Sequence, residues 1–339
     1  RQMCIRDRSC GARLPVYALF AAAFFPGSGQ NIVFALYLLG IVAAIFTGLF
    51  LKHTLYPGSS DTLVMEMPDY ELPTLQNVVI KTWQKLKRFV LGAGKTIVIV
   101  VAILSFFNSL GTDGSFGNED SENSVLSKAA QVVTPVFAPI GVQEDNWPAT
   151  VGIITGIFAK EAVVGTLNSL YTTPSDGEEA EFDLMGSLEE AVMSIPDNLA
   201  GLSYSDPLGI EVGDLTDSSA VAEEQEVDAS IFGNIKAQFA SGNAAFAYLI
   251  FILLYTPCVA AMGAYVREFG HNFARFIAVW TMGLAYLCAT FYNQLTHFAD
   301  SPITSGIWMA VIVAIFFGTY RVFKRVGKKH QGALEVQVA

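Results

Sequence analysis

Two charged side chains stand next to each other in an apolar stretch that is long enough to form one helix. Lys160 and Glu161 are the only charged residues of 148–171 (PATVGIITGIFAKEAVVGTLNSLY). An ionisable group near the middle of a bilayer costs about 2.5–3.5 kcal/mol or more on insertion scales. Intramembrane carboxylates usually mark ion or substrate paths, so Glu161 is a candidate for a permeation cavity. The structural alternative is that each charge pairs with a polar group elsewhere in the bundle.

A proline interrupts a second apolar stretch, 253–268 (LLYTPCVAAMGAYVRE). Pro257 has no amide hydrogen, so the carbonyl four residues earlier, that of Leu253, loses its usual helical donor. Cys258 follows directly. A thiol and freed carbonyls at membrane depth suit a cation that accepts soft or borderline ligands, and Fe(II) or Cu(I) fits better than Na⁺ or Mg²⁺. The alternative is that Cys258 is a small buried apolar side chain beside a kink.

Cys10 has a similar setting near the start of the chain. It stands beside small residues in 9–20 (SCGARLPVYALF), just before an apolar segment that contains a proline. Two such cysteine–proline neighbourhoods in separate halves indicate an internal repeat. The predicted metal-path residues are therefore Cys10, Glu161 and Cys258, and a second tier consists of Lys160 and Pro257.

The elements that must position these residues are membrane helices. Apolar residues make up 52% of the chain and charged residues 15%. Residues 31–51 carry no charge over 21 positions, and a helix of that length crosses a hydrocarbon core of about 30 Å. Further apolar runs lie at 90–110, 242–264, 276–294 and 304–320, with a shorter one at 12–25.

The distribution of charge predicts the orientation of these spans. Basic residues in short loops mark the cytoplasmic side, and the basic segment after residue 320 places the C-terminus in the cytoplasm. Residues 172–235 hold 16 of the 31 acidic residues and no Lys or Arg, which predicts an external loop. The net charge of −11 therefore reflects one acidic loop and carries no information about nucleic acid, which we do not expect as a partner.

Two segments do not fit simple one-pass helices. Residues 77–90 have apolar side chains on one face and basic side chains away from it, which predicts an amphipathic helix on the cytoplasmic membrane surface. A solvated linker is the alternative. Residues 125–171 lie between two segments that both look external, so they must cross an even number of times. Because Pro135 and Pro139 break the first arm, we predict a re-entrant or broken helical hairpin.

These boundaries predict an organisation into five parts. They are a non-native leader at 1–8 on a truncated N-terminus, a first membrane group at 9–171, the acidic external loop at 172–235, a second membrane group at 236–325 and a cytoplasmic tail at 326–339. The leader is suspected because Met3–Arg8 (MCIRDR) matches the translated end tag of some sequencing libraries.

Four stretches together resemble the membrane half of the bacterial ferrous iron transport protein B family. They are 9–27 (SCGARLPVYALFAAAFFPG), 64–78 (VMEMPDYELPTLQNV), 155–167 (TGIFAKEAVVGTL) and 253–268. The resemblance implies an all-α polytopic membrane protein with paired gate-type repeats, located in the bacterial inner membrane. It matches Cys10 and Cys258 to family cysteines, and Lys160 and Glu161 to the family's Ala-Lys-Glu motif.

The resemblance implies a permease for Fe(II), with Fe(II) as transported substrate and no permanently bound cofactor. The family also carries a GTP-binding domain and a helical regulatory domain, so GTP would act only through a domain missing from this chain. The chain itself is expected not to be an enzyme. Its expected partners are Fe(II), the lipid bilayer, those missing domains, small companion proteins of the same transport system and further copies of itself.

Two other function classes stay open at this point. A transporter of an organic solute, such as a nucleoside, on a related gate fold should show several hydrogen-bonding side chains within its spans. The spans here offer chiefly Cys, Met, one Glu and scattered Thr, which favours a metal ion. A membrane scaffold that transports nothing would leave Glu161 and Cys258 insensitive to mutation.

Overall fold

The computed structural model of the chain describes residues 11–55, 74–119, 121–158, 160, 162–172, 193, 218–225 and 227–338. Within these residues the regular secondary structure is helical, and β pairing is limited to isolated bridges. The predicted all-α, polytopic membrane class is confirmed.

Thirteen α-helices follow one another in the described part of the chain. The first seven are α1 (Leu14–Phe24), α2 (Gly29–Thr54), α3 (Leu75–Phe89), α4 (Lys95–Ser109), α5 (Val125–Val133), α6 (Trp147–Phe158) and α7 (Ala162–Tyr171). The remaining six are α8 (Ser218–Glu224), α9 (Ser230–Gln238), α10 (Gly242–Leu254), α11 (Val259–Phe269), α12 (His271–Thr296) and α13 (Pro302–Val338). Two short 3₁₀ segments, Gly11–Arg13 and Thr134–Ile140, and one π segment, Val90–Gly94, connect some of them.

Two short helices, α1 and α10, form the centre of the bundle. They have 11 and 13 residues, so they are about 17 and 20 Å long and cannot cross a hydrocarbon core of about 30 Å alone. Both are apolar on all sides, which is typical of helices in a core. The side chains from Val16 to Ala23 and from Ala247 to Leu253 are buried.

Longer helices surround this centre. Three described helices are long and apolar enough to cross a membrane: α2, α12 and the Pro302–Lys328 part of α13. Their apolar side chains point outward, as at Val42, Val279 and Val313, which are 61–74% exposed. Such an apolar outer surface is stable only against lipid or another protein. Helix α2 packs against α1 and α10, α12 packs against α10, and α13 packs outside them against α2 and α12.

The predicted break in the segment before α6 is confirmed. Helix α5 ends at Val133, and Thr134–Ile140 continues as a 3₁₀ segment that contains Pro139. The Pro139 carbonyl accepts hydrogen bonds of 3.1 Å from the side-chain amides of both Asn293 and Gln294 on α12. Side chains of another helix thus stabilise the irregular backbone.

The end of the acidic segment differs from its prediction as a loop up to residue 235. Residues 218–224 and 230–238 form α8 and α9, which pack against α1. Val221, Ile231 and Ile235 are fully buried in the main core. The spacing of Ile231 and Ile235 places both on one helical face, which explains why this end of the segment is packed although its neighbours along the chain are acidic.

The short acidic loop between α4 and α5 is held by local hydrogen bonds. Gly111 and Ser124 form an antiparallel bridge across it. The Asp113 carboxylate accepts hydrogen bonds from the Ser115 hydroxyl at 2.6 Å and from the Ser115 amide at 3.1 Å. These two bonds hold the pKa of the exposed Asp113 carboxyl below its ordinary value.

Helix α3 makes little contact with the rest of the bundle. Its apolar side chains Leu75, Val79 and Trp83 are 58–79% exposed, and the basic side chains of Lys81 and Lys85 are exposed as well. The helix continues through the π segment into α4. Neither face of this amphipathic helix is covered by the rest of the protein. Its apolar face therefore needs an apolar environment, such as the lipid of a membrane surface. Its placement on the membrane surface stays a prediction.

Candidate functional site

The first part of the site is a break between α10 and α11. Helix α10 ends at Leu254, the residues up to Cys258 are extended, and α11 begins at Val259. Pro257 lies inside this break, as the sequence predicted, because it can neither continue the helix nor donate an amide hydrogen. The break is closed at each end by a backbone hydrogen bond of 2.9 Å, from Tyr255 to Phe251 and from Met262 to Cys258.

Arg13 satisfies the carbonyl that the break leaves without a donor. The Arg13 side chain is 7% exposed, and its Nη1 donates to the Leu253 carbonyl oxygen. We identified that carbonyl from the sequence, but the arginine was missed. The signal that could have found it is a cation placed directly before an apolar helix that is buried on all sides, in GARLPVY.

The second part of the site is a reversal of the chain between α6 and α7. The stretch 148–171 is long enough for one helix, but it forms two, because α6 ends at Phe158 and α7 begins at Ala162. Gly152 lies beside Leu167 and Gly156 beside Val163, so the two helices run antiparallel. Glycines spaced four residues apart leave room for such close packing.

Lys160 therefore lies at the tip of a helical hairpin. The side chain is 4% exposed, and its Nζ lies 4.5 Å from the ring centroid of Tyr255 in the other break. A cation over an aromatic face is attracted by the ring quadrupole, and the interaction strengthens when both groups are desolvated. The contact joins the two breaks directly. It agrees with the structural alternative for Lys160, which was that it pairs elsewhere in the bundle.

A cavity of about 110 Å³ lies where the two breaks meet. Small side chains of α2 form one wall, and Trp280 and Thr281 of α12 form another. The lining residues are Arg13, Gly40, Ala43, Ala44, Thr47, Lys160, Leu253, Leu254, Tyr255, Pro257, Cys258, Ala261, Trp280, Thr281 and Leu284. The cavity thus offers a thiol, three hydroxyl-bearing side chains and the irregular backbone of residues 255–258 inside a largely apolar bundle.

The structure brings three predicted site residues together and leaves two undescribed. Lys160, Pro257 and Cys258 all line the cavity. Cys10 and Glu161 lie outside the described residues. Within the part of the chain that the structure describes, no group of three His, Cys, Asp or Glu side chains is arranged to hold a metal ion.

The close packing around Gly156 can be tested by adding one methyl group. A Cβ atom there would lie 2.8 Å from Val163 Cγ2 and would overlap the Tyr255 hydroxyl. We expect Gly156→Ala to lower the unfolding free energy by about 1–3 kcal/mol through overpacking. The matched control is Gly165→Ala on α7, where no atom lies within 4 Å and where alanine should stabilise the helix by about 0.5–1 kcal/mol.

Thermal unfolding of the two purified variants in detergent measures this difference. Equal stability of Gly156→Ala and Gly165→Ala would contradict the antiparallel packing of α6 and α7 against Tyr255.

Comparison with known families identifies what kind of bundle this is. The Gate family model, described as nucleoside recognition, matches residues 90–272, which is 183 of the 339 residues. The model described as ferrous iron transport protein B C terminus matches residues 33–85. The first match includes both breaks, and the parts of the site outside it are the Arg13 region, the α2 wall and the α12 wall of Trp280, Thr281 and Leu284. No solved structure matches the chain.

Curated relatives agree with both family matches. The Fe(2+) transporter FeoB of Escherichia coli K12 and that of Salmonella typhimurium LT2 are each 42% identical over 313 residues. The protein of the same name from Shigella flexneri is 41% identical over 313 residues. Each match covers 90% of this chain and 39% of the relative, so the chain spans about two fifths of the length of these proteins. The chain therefore belongs to the ferrous iron transport protein B family, of which it carries the Gate domain and the C-terminal part.

Proposed function

We propose that this chain is the membrane permease region of a ferrous iron transporter in a bacterial inner membrane. The observation that carries the proposal is the cavity in which two interrupted helices bring Cys258, Lys160 and the extended backbone around Pro257 to one place. Interrupted helices that meet inside a bundle are typical of transporter binding sites. The relatives that match this region are named Fe(2+) transporters, which supports iron as the substrate.

The ligands available at the cavity suit Fe(II). A thiolate at Cys258 and carbonyl oxygens of the break would coordinate an ion that accepts both sulfur and oxygen. Arrival of the cation would favour loss of the thiol proton, because only the thiolate ligates. We propose that Glu161 and Cys10 coordinate the ion at further positions along the path. Glu161 directly follows Lys160 at the hairpin tip, and Cys10 lies three residues before Arg13.

The alternative of an organic solute is less well supported. Pockets for drug-sized molecules have volumes of about 300–1,000 Å³, and this cavity has about 110 Å³. Seven of its described lining side chains carry an N, O or S atom that can donate or accept: Arg13, Thr47, Lys160, Tyr255, Cys258, Trp280 and Thr281. The Gate family model carries the description nucleoside recognition, whereas the relatives that match the same region are named Fe(2+) transporters. The GTP-binding and regulatory domains, companion proteins and self-association stay predictions from the resemblance.

The topology read from charge completes the proposal. Residues 172–235 would lie outside the inner membrane, and the basic C-terminal end of α13 would lie in the cytoplasm, because basic residues are retained on that side. Helix α3 would then lie on the cytoplasmic membrane surface, with Val79 and Trp83 toward the lipid. The acidic external segment would attract cations to the outer face.

Uptake of iron tests the proposed path. We propose a chimera in which this chain replaces the matching region of the Escherichia coli K12 relative, so that a full-length transporter is present. Cys258→Ser should lower ⁵⁵Fe(II) uptake by about tenfold or more, as expected when a metal ligand is weakened. Glu161→Gln should lower it further. The control is Cys288→Ser, since Cys288 packs against the core on α12 and does not line the cavity.

The membrane level of each variant is measured by immunoblot. If Cys258→Ser and Glu161→Gln both take up iron at the unmodified chimera's rate, the proposed path is wrong.

The topology is tested by cysteine labelling on a background without native cysteines. Ser218→Cys should react with an impermeant maleimide in intact spheroplasts, whereas Gly332→Cys should react only after lysis. The reverse pattern would invert the proposed orientation.

The position of α3 needs a separate measurement in lipid vesicles. Spin labels attached to Val79→Cys and Lys81→Cys, on opposite faces of this helix, should report high oxygen accessibility at position 79 and high accessibility to a water-soluble nickel complex at position 81. Equal values at the two positions would leave α3 as a solvated linker.

A further inference from the structure

The buried side chain of Arg13 donates a hydrogen bond to the Leu253 carbonyl at the break between α10 and α11. Arg13 Nη1 donates to the Leu253 carbonyl oxygen, and the side chain is 7% exposed. In a continuous helix this oxygen would accept the amide of residue 257, but Pro257 has no amide hydrogen. The guanidinium therefore replaces the missing donor. It also stands where a transported cation would have to lie to coordinate the same oxygen.

The hydrogen-bonding capacity of the Arg13 guanidinium is only partly satisfied among the described residues. A guanidinium carries five N–H donors, and Arg13 Nε is buried without a hydrogen-bond partner among the described residues. An unsatisfied buried donor on a charged group destabilises the arrangement that contains it. Arg13 ends the short 3₁₀ segment Gly11–Arg13 and directly precedes α1, so it lies outside the interior of any α-helix. Both features favour an arginine that leaves the carbonyl when a competitor arrives.

Charge makes the guanidinium and a metal ion mutually exclusive at this oxygen. Among the described lining residues, Arg13 and Lys160 are cationic and none carries a carboxylate. A cation that shared the Leu253 carbonyl with Arg13 would lie at contact distance from a like charge. Such repulsion is strong where the surroundings are apolar and the effective dielectric constant is low. The two cations can therefore occupy the oxygen only in turn.

We propose that Arg13 is a tethered cation that closes the path. Its guanidinium occupies the Leu253 carbonyl when no ion is bound and leaves it when Fe(II) enters the cavity. This inference rests on the proposed function, because it takes Fe(II) as the competitor. A purely structural arginine, which only clamps α1 to α10, has the opposite signature, since its removal would loosen the site and weaken ion binding.

Equilibrium binding of ⁵⁵Fe(II) to the 339-residue chain in lipid nanodiscs, under anaerobic conditions, separates these two roles. Arg13→Met removes the charge and keeps an unbranched side chain, and it should tighten binding by at least about tenfold. Arg13→Lys keeps a cation and should bind no more tightly than the unsubstituted chain. The matched control is Arg275→Met, which removes an exposed cation on α12 outside the cavity and should leave binding unchanged.

A second measurement uses the unsubstituted chain, so it decides the matter if Arg13→Met does not fold. Phenylglyoxal modifies accessible arginines, and mass spectrometry identifies them by peptide. Arg13 should be protected without iron and modified with saturating Fe(II), whereas the exposed Arg275 should be modified in both states. Persistent protection of Arg13 with Fe(II) bound would overturn the proposal.

The outcomes also separate this proposal from the proposed function. If neither the unsubstituted chain nor Arg13→Met binds Fe(II), the iron path itself is wrong. If the unsubstituted chain binds Fe(II) but Arg13→Met binds equally or more weakly, the path stands and the tethered-cation role of Arg13 is wrong. Tighter binding by Arg13→Met, together with wild-type behaviour of Arg275→Met, supports the role.

Discussion

Every backbone polar group inside a bilayer needs a partner within the protein, and the rest of this structure depends on that constraint. Two helices are interrupted at prolines, and at each of these interruptions a side chain from elsewhere donates to a backbone carbonyl. Arg13 donates a hydrogen bond to the Leu253 carbonyl, and two side-chain amides of α12 donate to the Pro139 carbonyl. Irregular backbone is therefore tied to distant parts of the chain at both of these positions.

Contacts of a second kind bring the α6–α7 hairpin and the α10–α11 break to one cavity. The tip of the α6–α7 hairpin carries Lys160, which would be costly in lipid, and Tyr255 of the other break supplies the face over which it lies. Tyr248 of α10 adds a hydrogen bond of 2.9 Å to the Ala149 carbonyl at the start of α6. Glycines along α6 allow these aromatic side chains to approach the backbone. The long helices around them keep lipid away from the polar groups.

Several of these features follow from the sequence, and others do not. The lost donor at Pro257 is a local property of proline, so the break and the freed Leu253 carbonyl were predictable. The reversal after Phe158 was missed because an apolar run of that length, even with two charges inside it, is also the pattern of one spanning helix. Gly152 and Gly156 were the available signal. Arg13 was missed because its partner is 240 residues away, and no local pattern shows such a contact.

The central claim is that the cavity between the two breaks binds a divalent cation through Cys258. Co(II) has the same charge as Fe(II), accepts the same ligands and reports thiolate ligation by a charge-transfer absorption band. Titration of the chain with Co(II) in nanodiscs should produce this band, Cys258→Ser should abolish it, and Cys288→Ser should retain it. A band that persists in Cys258→Ser, or its absence from the unsubstituted chain, would contradict the account.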